Sequence, residues 1–170
     1  LDLDSIPPEG IFYNRMSASS HTRDHRFAIE FSESILAWLT LHKRKVVNNR
    51  QALMLEVRKS EQQMALSYYN ISGRERYVAS NRWGVLKAGK LLNSLPFIVK
   101  PNRGGKGLGV RLYTSLVKLE RDIELNEEPT SLDGVLLIQE YIKPATGRIT
   151  RAEFIGGKFY YAVSIDATKG

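Results

Sequence analysis

The sequence contains no cysteine. That excludes disulfides and thiolate metal sites, and it suits a reducing compartment. No apolar run approaches the roughly 18 residues of a membrane-spanning helix, and no signal peptide opens the chain. The expectation is a cytoplasmic protein with no membrane partner. A basic face interleaved with stacking aromatics is also missing: the cations are scattered and the aromatics fall mostly at helical core spacing. This argues against a nucleic-acid interface.

What is present is ordinary for a globular protein. Of 170 residues, 42% are hydrophobic and 25% charged, enough for a core within one domain or two small lobes. Lys and Arg outnumber Asp and Glu to leave a formal charge of +7, which favours anionic partners. The densest basic run, His42 to Lys45, closes a helical segment, where cations suit the helix dipole. The opening LDLDSIPPEG reads like the interior of a longer protein.

Periodicity predicts a strand-like run over 10–16, a polar loop over 17–24 and a helix over 26–42. That helix is given a buried face of Phe27, Phe31, Ile35, Trp38 and Leu39. A short strand at Val46-Val47 and a cap at Asn48-Asn49 lead into a helix over 50–68, striped by Leu53, Val57, Met64 and Tyr68. A strand over 76–80 is followed by a helix capped by Asn81, in which Gly84 and Gly89 are each unfavourable by about 1 kcal/mol. Strands over 97–100 and 110–113 flank a glycine loop. Thr114 or Ser115 caps a helix with the stripe Leu116, Leu119, Ile123. A loop over 126–134, a buried strand over 135–139 and a hairpin around Gly156-Gly157 complete an α+β pattern.

The loop Arg103-Gly104-Gly105-Lys106-Gly107-Leu108-Gly109 carries the chemistry. Glycines let backbone N–H groups approach an anion and adopt positive φ. By itself such a loop is equally a flexible hairpin tip. It is not a P-loop, because Lys106 is followed by Gly107 and a strand. It is not a dinucleotide fingerprint, which needs a helix after the glycines. A protein kinase would place its lysine after the loop and an HRD segment later, whereas Lys100 precedes this loop. Lys100 ends a strand that otherwise reads as buried, so it either pairs with a phosphate held by the loop or snorkels from the strand end. Lys59, off its helix stripe, reads alone as a solvated lysine. Ser17, Ser19, Ser20 and His21 are either a polar loop or the lining of an acceptor site.

Three blocks in order carry a resemblance: RQALMLEVRKSEQQMALSYYNI over 50–71, PFIVKPNRGGKGLGV over 96–110, and LLIQEYIKPATGRITRAEFIGGKFYYAV over 136–163. Together they resemble the ATP-grasp superfamily, in particular its RimK-type and glutathione-synthetase-like carboxylate–amine ligases. The resemblance implies an α+β ATP-grasp fold of mixed and antiparallel sheets with helices, and ATP held between two lobes. It implies a division into 1–49, the tail of a preceding domain; 50–141, the small lobe with the phosphate loop; and 142–170, the start of an incomplete second lobe. Lys59 and Lys100 would be the two nucleotide lysines, Gly104, Gly105, Lys106 and Gly107 the phosphate loop, and Gln139, Glu140, Tyr141 and Ile142 the adenine hinge.

Arg151 stands at the family's arginine position and would face phosphate or substrate, while Ile149 stands where the family carries a ribose-binding acid. The family's Mg²⁺ ligands, an Asp and a Glu-x-Asn pair, would follow the final hairpin. Asp166 comes too early to be one of them, so no metal ligand is expected here. The implied activity of the full-length protein is ATP-dependent ligation of a carboxylate to an amine through an acyl phosphate, with substrates and oligomeric state left open. The alternative is a catalytically silent ATP-grasp domain that binds a nucleotide or a partner.

Overall fold

In the computed structural model, all residues are described except 1, 3, 72, 74, 93, 106 and 168–170. The chain divides into two compact units, Leu1–Glu140 and Tyr141–Gly170.

The first unit begins with strand β1 (Ile11–Tyr13), which pairs in parallel with β2 (Lys45–Val47). Between them lie a short 3₁₀ turn (Ser20–Arg23) and helix α1 (Ala28–Leu41). The buried face of α1 is Ile29, Leu36 and Leu39, whereas Phe27 is 70% and Phe31 56% exposed. Of the expected stripe, Leu39 is buried and Ile35 and Trp38 are half-buried, but the face turns away from the two phenylalanines. The true face runs through Ile29, Ser32, Leu36 and Leu39, and its serine hides the helical spacing.

Asn49 caps helix α2 (Arg50–Val57) by accepting from the Ala52 N–H at 3.1 Å. Leu53, Met54 and Val57 of α2 pack with Ile29 and Leu36 of α1 in one hydrophobic cluster. The single helix expected over 50–68 is in fact broken. Arg58 adopts an extended conformation (φ −108, ψ 110), and helix α3 (Lys59–Tyr68) starts afresh. No residue of α3 is buried, so Met64 and Tyr68 continue no stripe.

A second cluster lies under a four-stranded sheet. Strands β3 (Arg76–Ala79), β4 (Phe97–Pro101), β5 (Arg111–Tyr113) and β6 (Leu136–Glu140) are ordered β3-β6-β4-β5, every pair antiparallel. Helices α4 (Arg82–Leu91) and α5 (Leu116–Glu124) supply its other layer. Asn81 and Ser115 cap them through the N–H groups of Gly84 and Lys118. Gly89 is there for space: a Cβ would stand 3.2 Å from Leu119 Cδ2 and 3.3 Å from Phe97 Cζ.

Burial alternates along β4. Phe97, Val99 and Pro101 are buried, with Phe97 and Val99 in the helix-side cluster, whereas Ile98 and Lys100 are only half-buried. Because side chains alternate faces along a strand, Ile98 and Lys100 share the sheet face opposite that cluster. Cross-strand register places Gln139 and Arg76 on the same face.

Beside this core, Asp122 accepts from Tyr113 Oη at 2.9 Å and from Arg111 Nη1 at 2.8 Å. Burial pushes the Asp122 carboxyl up, but those two donors outweigh it and hold it below its ordinary 3.8. A carboxylate with a depressed folded pKa adds stability that is present above the unfolded value and lost as pH falls through the folded one. Asp122→Asn should therefore be less stable than wild type at neutral pH. The gap should narrow as pH falls below about 4, which urea unfolding across pH would measure. A gap independent of pH would show that the ionised carboxylate is not what matters.

The second unit is a hairpin of β7 (Arg148–Ile155) and β8 (Lys158–Asp166) about the Gly156-Gly157 turn, with a bulge at Glu153/Phe154. The hairpin falls where the sequence places it.

Candidate functional site

The glycine loop joins β4 to β5. Gly104, Gly107 and Gly109 take positive φ of 136°, 73° and 72°, a region that side chains rarely tolerate. At Gly109 a Cβ would also stand 2.8 Å from Pro101 Cγ. Leu108 N–H donates to Gly105 O and Val110 N–H to Gly107 O, both at 3.2 Å, so the loop is a run of tight turns. Gly105 sits beside Ser19 of the N-terminal loop. Lys106 lies outside the described residues.

Asn102, on which the loop begins, is the residue that sequence reasoning missed. It is buried and every polar group it owns is used. Its N–H donates to Val135 O at 3.0 Å, and its Nδ2 donates to Asp133 Oδ2 at 2.7 Å. Its Oδ1 accepts from the Ser60 N–H at 2.8 Å, and its carbonyl from the Lys59 N–H at 3.2 Å. The first turn of α3 is thus capped from 42 residues away in sequence, which accounts for the break at Arg58. The one available hint was an asparagine, a strong capping type, between a strand and a glycine loop.

The break turns Lys59 onto the loop. Its Nζ donates to Asn102 O at 3.2 Å and to Gly104 O at 3.1 Å. Lys100 reaches Gln139 Oε1 at 2.7 Å. Both ammonium groups are pushed below their ordinary 10.5. For Lys59 the cause is burial, opposed by nearby Asp133; for Lys100 it is burial, then the charges of Lys59 and Arg76. Lys100 thus feels the positive charges of Lys59 and Arg76 from two other segments, and no ion pair to it is found among the described residues. Each ammonium has three donors. Among the described residues Lys59 directs two of them and Lys100 one to the protein.

Arg103 does not add its charge to the loop's free surface. Its Nη1 is bound to Glu30 of α1, and the guanidinium holds that carboxyl below its usual range. The pair ties α1 to the glycine loop.

The remaining expected residues are placed as follows. Gln139 and Glu140 end β6, the central strand next to β4. Gln139 spends its side-chain oxygen on Lys100, and the Glu140 N–H donates to Glu75 O at 3.3 Å. Tyr141 and Ile142 open the second unit, in a stretch without regular structure. Arg151, in β7, pairs with Glu153 at 2.6 Å. Among the described residues, no group of three His, Cys, Asp or Glu side chains could hold a metal ion, and no helix is long and apolar enough to cross a membrane.

No family model matches the sequence, and no curated protein matches it. Solved structures do. A RimK domain ATP-grasp protein from Sphaerobacter thermophilus superposes with a TM-score of 0.55 at 16% identity, over 84% of this chain and 49% of its own. A D-alanine-D-alanine ligase from Helicobacter pylori gives 0.54 at 20% identity, over 79% and 40%. The ADP complex of an N5-carboxyaminoimidazole ribonucleotide synthetase gives 0.54 at 14% identity, over 75% and 36%. The chain thus spans less than half the length of these structures. With its antiparallel four-stranded sheet, its two covering helices and its strand–glycine loop–strand, the chain has the α+β ATP-grasp fold.

Proposed function

We propose that this chain is the ATP-binding part of an ATP-dependent carboxylate–amine ligase. The observation that carries the reading is the meeting of Lys59, whose ammonium lies on the Asn102 and Gly104 carbonyls of the glycine loop, with Lys100 at the end of the strand before it, two repelling ammonium groups that a polyphosphate would draw together. The geometry suits phosphate recognition by point charges and backbone groups, with no protein nucleophile.

In this reading residues 50–141 are the small lobe, 1–49 the tail of a preceding domain and 142–170 the start of the second lobe. Lys59 and Lys100 contact phosphates under the loop of Gly104, Gly105, Lys106 and Gly107. The segment Gln139–Ile142 receives adenine, with Ile98 as an aliphatic wall, and Arg151 serves phosphate or substrate. The full-length protein would move the γ-phosphoryl group of ATP onto a carboxylate oxygen with release of ADP. An amine would then displace phosphate from the acyl carbon to leave an amide. Mg²⁺ finds no ligand set among the described residues. The reaction would run in the cytoplasm.

Calorimetric titration tests the reading. Wild type should bind ATP and bind adenosine far more weakly, because the lysines answer to phosphate. Lys59→Ala should weaken ATP about tenfold, the worth of one charge-assisted contact at roughly 1.4 kcal/mol. If adenosine binds as well as ATP, or Lys59→Ala leaves the affinity unchanged, the phosphate-site assignment fails.

A further inference from the structure

The N-terminal loop has a feature that nucleotide binding leaves unused. A cavity of about 600 Å³ lies between that loop and α1, within the range of small-molecule sites. Its floor is apolar, formed by Ile35, Leu36 and Leu39 of α1. Its rim carries Arg15, Arg23 and His25, and no Asp or Glu lines it. Neither arginine forms an ion pair among the described residues: Arg15 lies 6.0 Å from the Tyr13 ring centroid, and Arg23 Nη1 donates to Ser19 Oγ at 3.3 Å.

A further observation points to a ligand. Ser20 lines the cavity and is only 3% exposed, yet its hydroxyl has no hydrogen-bond partner among the described residues. A buried unpaired hydroxyl is costly, so natural structures seldom leave one without reason.

We infer that this cavity binds a small carboxylate with a short aliphatic chain. The chain would lie on Leu36 and Leu39, and the carboxylate would meet Arg15 and Arg23. Charge excludes a cationic ligand, since the two arginines on the rim face no acid among the described residues. The apolar floor excludes a bare inorganic anion as the best fit, because burying such a floor under an ion gains nothing. The site is separate from the lysine cluster and stands whether or not the nucleotide reading does.

Hexanoate, 1-hexanol, hexylammonium and inorganic phosphate serve as probes, titrated into the protein by calorimetry or followed by NMR. Hexanoate should bind saturably and more tightly than hexanol, with hexylammonium and phosphate weakest. Arg15→Gln and Arg23→Gln, both at exposed positions, should each weaken hexanoate about three- to tenfold and leave hexanol unchanged. Ser32→Leu, which fills the cavity from α1, should remove both. Lys100→Met should bind hexanoate as wild type does, which separates this site from the nucleotide site. The inference is overturned if no probe saturates at millimolar concentration, if hexylammonium or phosphate matches hexanoate, or if the arginine variants bind hexanoate undiminished.

Discussion

Lys100→Met should leave the ligand-free protein as stable as wild type, or slightly more so, while weakening ATP binding about 30- to 100-fold. The two halves of this result have one cause. Lys100 is desolvated and stands near Lys59 and Arg76. Its bond to Gln139, at 2.7 Å, offsets only part of that. Methionine keeps the stem's volume, removes the repulsion and leaves Gln139 to find another donor, at a cost of about 1 kcal/mol. Those effects nearly cancel. Against phosphate there is no such cancellation, because a charge-assisted contact in a partly buried site is worth about 2–3 kcal/mol.

The pH dependence follows with its sign. A lysine whose folded pKa is lowered binds fewer protons folded than unfolded, so stability rises as pH climbs from the folded value towards 10.5. Bound phosphate should reverse this by raising the pKa, and ATP binding in that window should take up protons. In Lys100→Met the rise in stability and the proton uptake should both shrink. Urea unfolding and calorimetry in buffers of different ionisation enthalpy measure these quantities. A variant that binds ATP like wild type would remove Lys100 from the site. A variant that loses more than about 2 kcal/mol of stability would make it a structural lysine instead.

How much of this was legible in the sequence divides by range. Asn49, Asn81 and Ser115 were readable as caps because a capping side chain reaches an N–H only three residues ahead. The Gly156-Gly157 hairpin was readable for the same reason. What failed depended on distant partners. The break at Arg58 follows from Asn102, and a helix stripe counted through it joined Met64 and Tyr68 to a core they never reach. The face of α1 was only partly right: Leu39 is buried as expected, but Phe27 and Phe31 displaced Ile29 and the polar Ser32, although packing against α2 decides which side is buried.

The site divides in the same way. The glycine loop and Lys100 stood out as residue types in an unexpected place, a run of backbone freedom and a charge at the end of a buried strand. Lys59 looked like any solvated lysine. Only the fold, by turning α3 at Asn102, lays its side chain along the loop carbonyls. Arg103 shows the converse: a charge in the loop segment is claimed by Glu30 from 73 residues away, and no local pattern records that.

If Asn102 is what joins the two hydrophobic clusters of the first unit, Asn102→Ala should be the most damaging polar substitution in the loop region, at about 3 kcal/mol. Alanine keeps the backbone bonds to Val135 and Lys59 but removes both side-chain bonds. The Ser60 N–H loses its cap, worth about 0.5–2 kcal/mol, and Asp133 loses its donor in a partly buried place, worth about 1–3 kcal/mol. Asp133 would still hold Ser131 Oγ at 2.7 Å and the Val135 N–H at 3.2 Å, which limits the loss.

ATP affinity, measured where the variant is still folded, should fall about tenfold, because Lys59 would no longer be aimed by a fixed first turn. Asn102→Asp separates the two roles. It keeps the acceptor for Ser60 but sets a second carboxylate against Asp133. Its folded pKa should rise, so its stability should recover as pH falls through that value towards its ordinary one near 4, a trend that alanine cannot show. If Asn102→Ala costs less than 1 kcal/mol and leaves ATP binding intact, the glycine loop and α3 are held together by something other than this residue, and the break at Arg58 needs another cause.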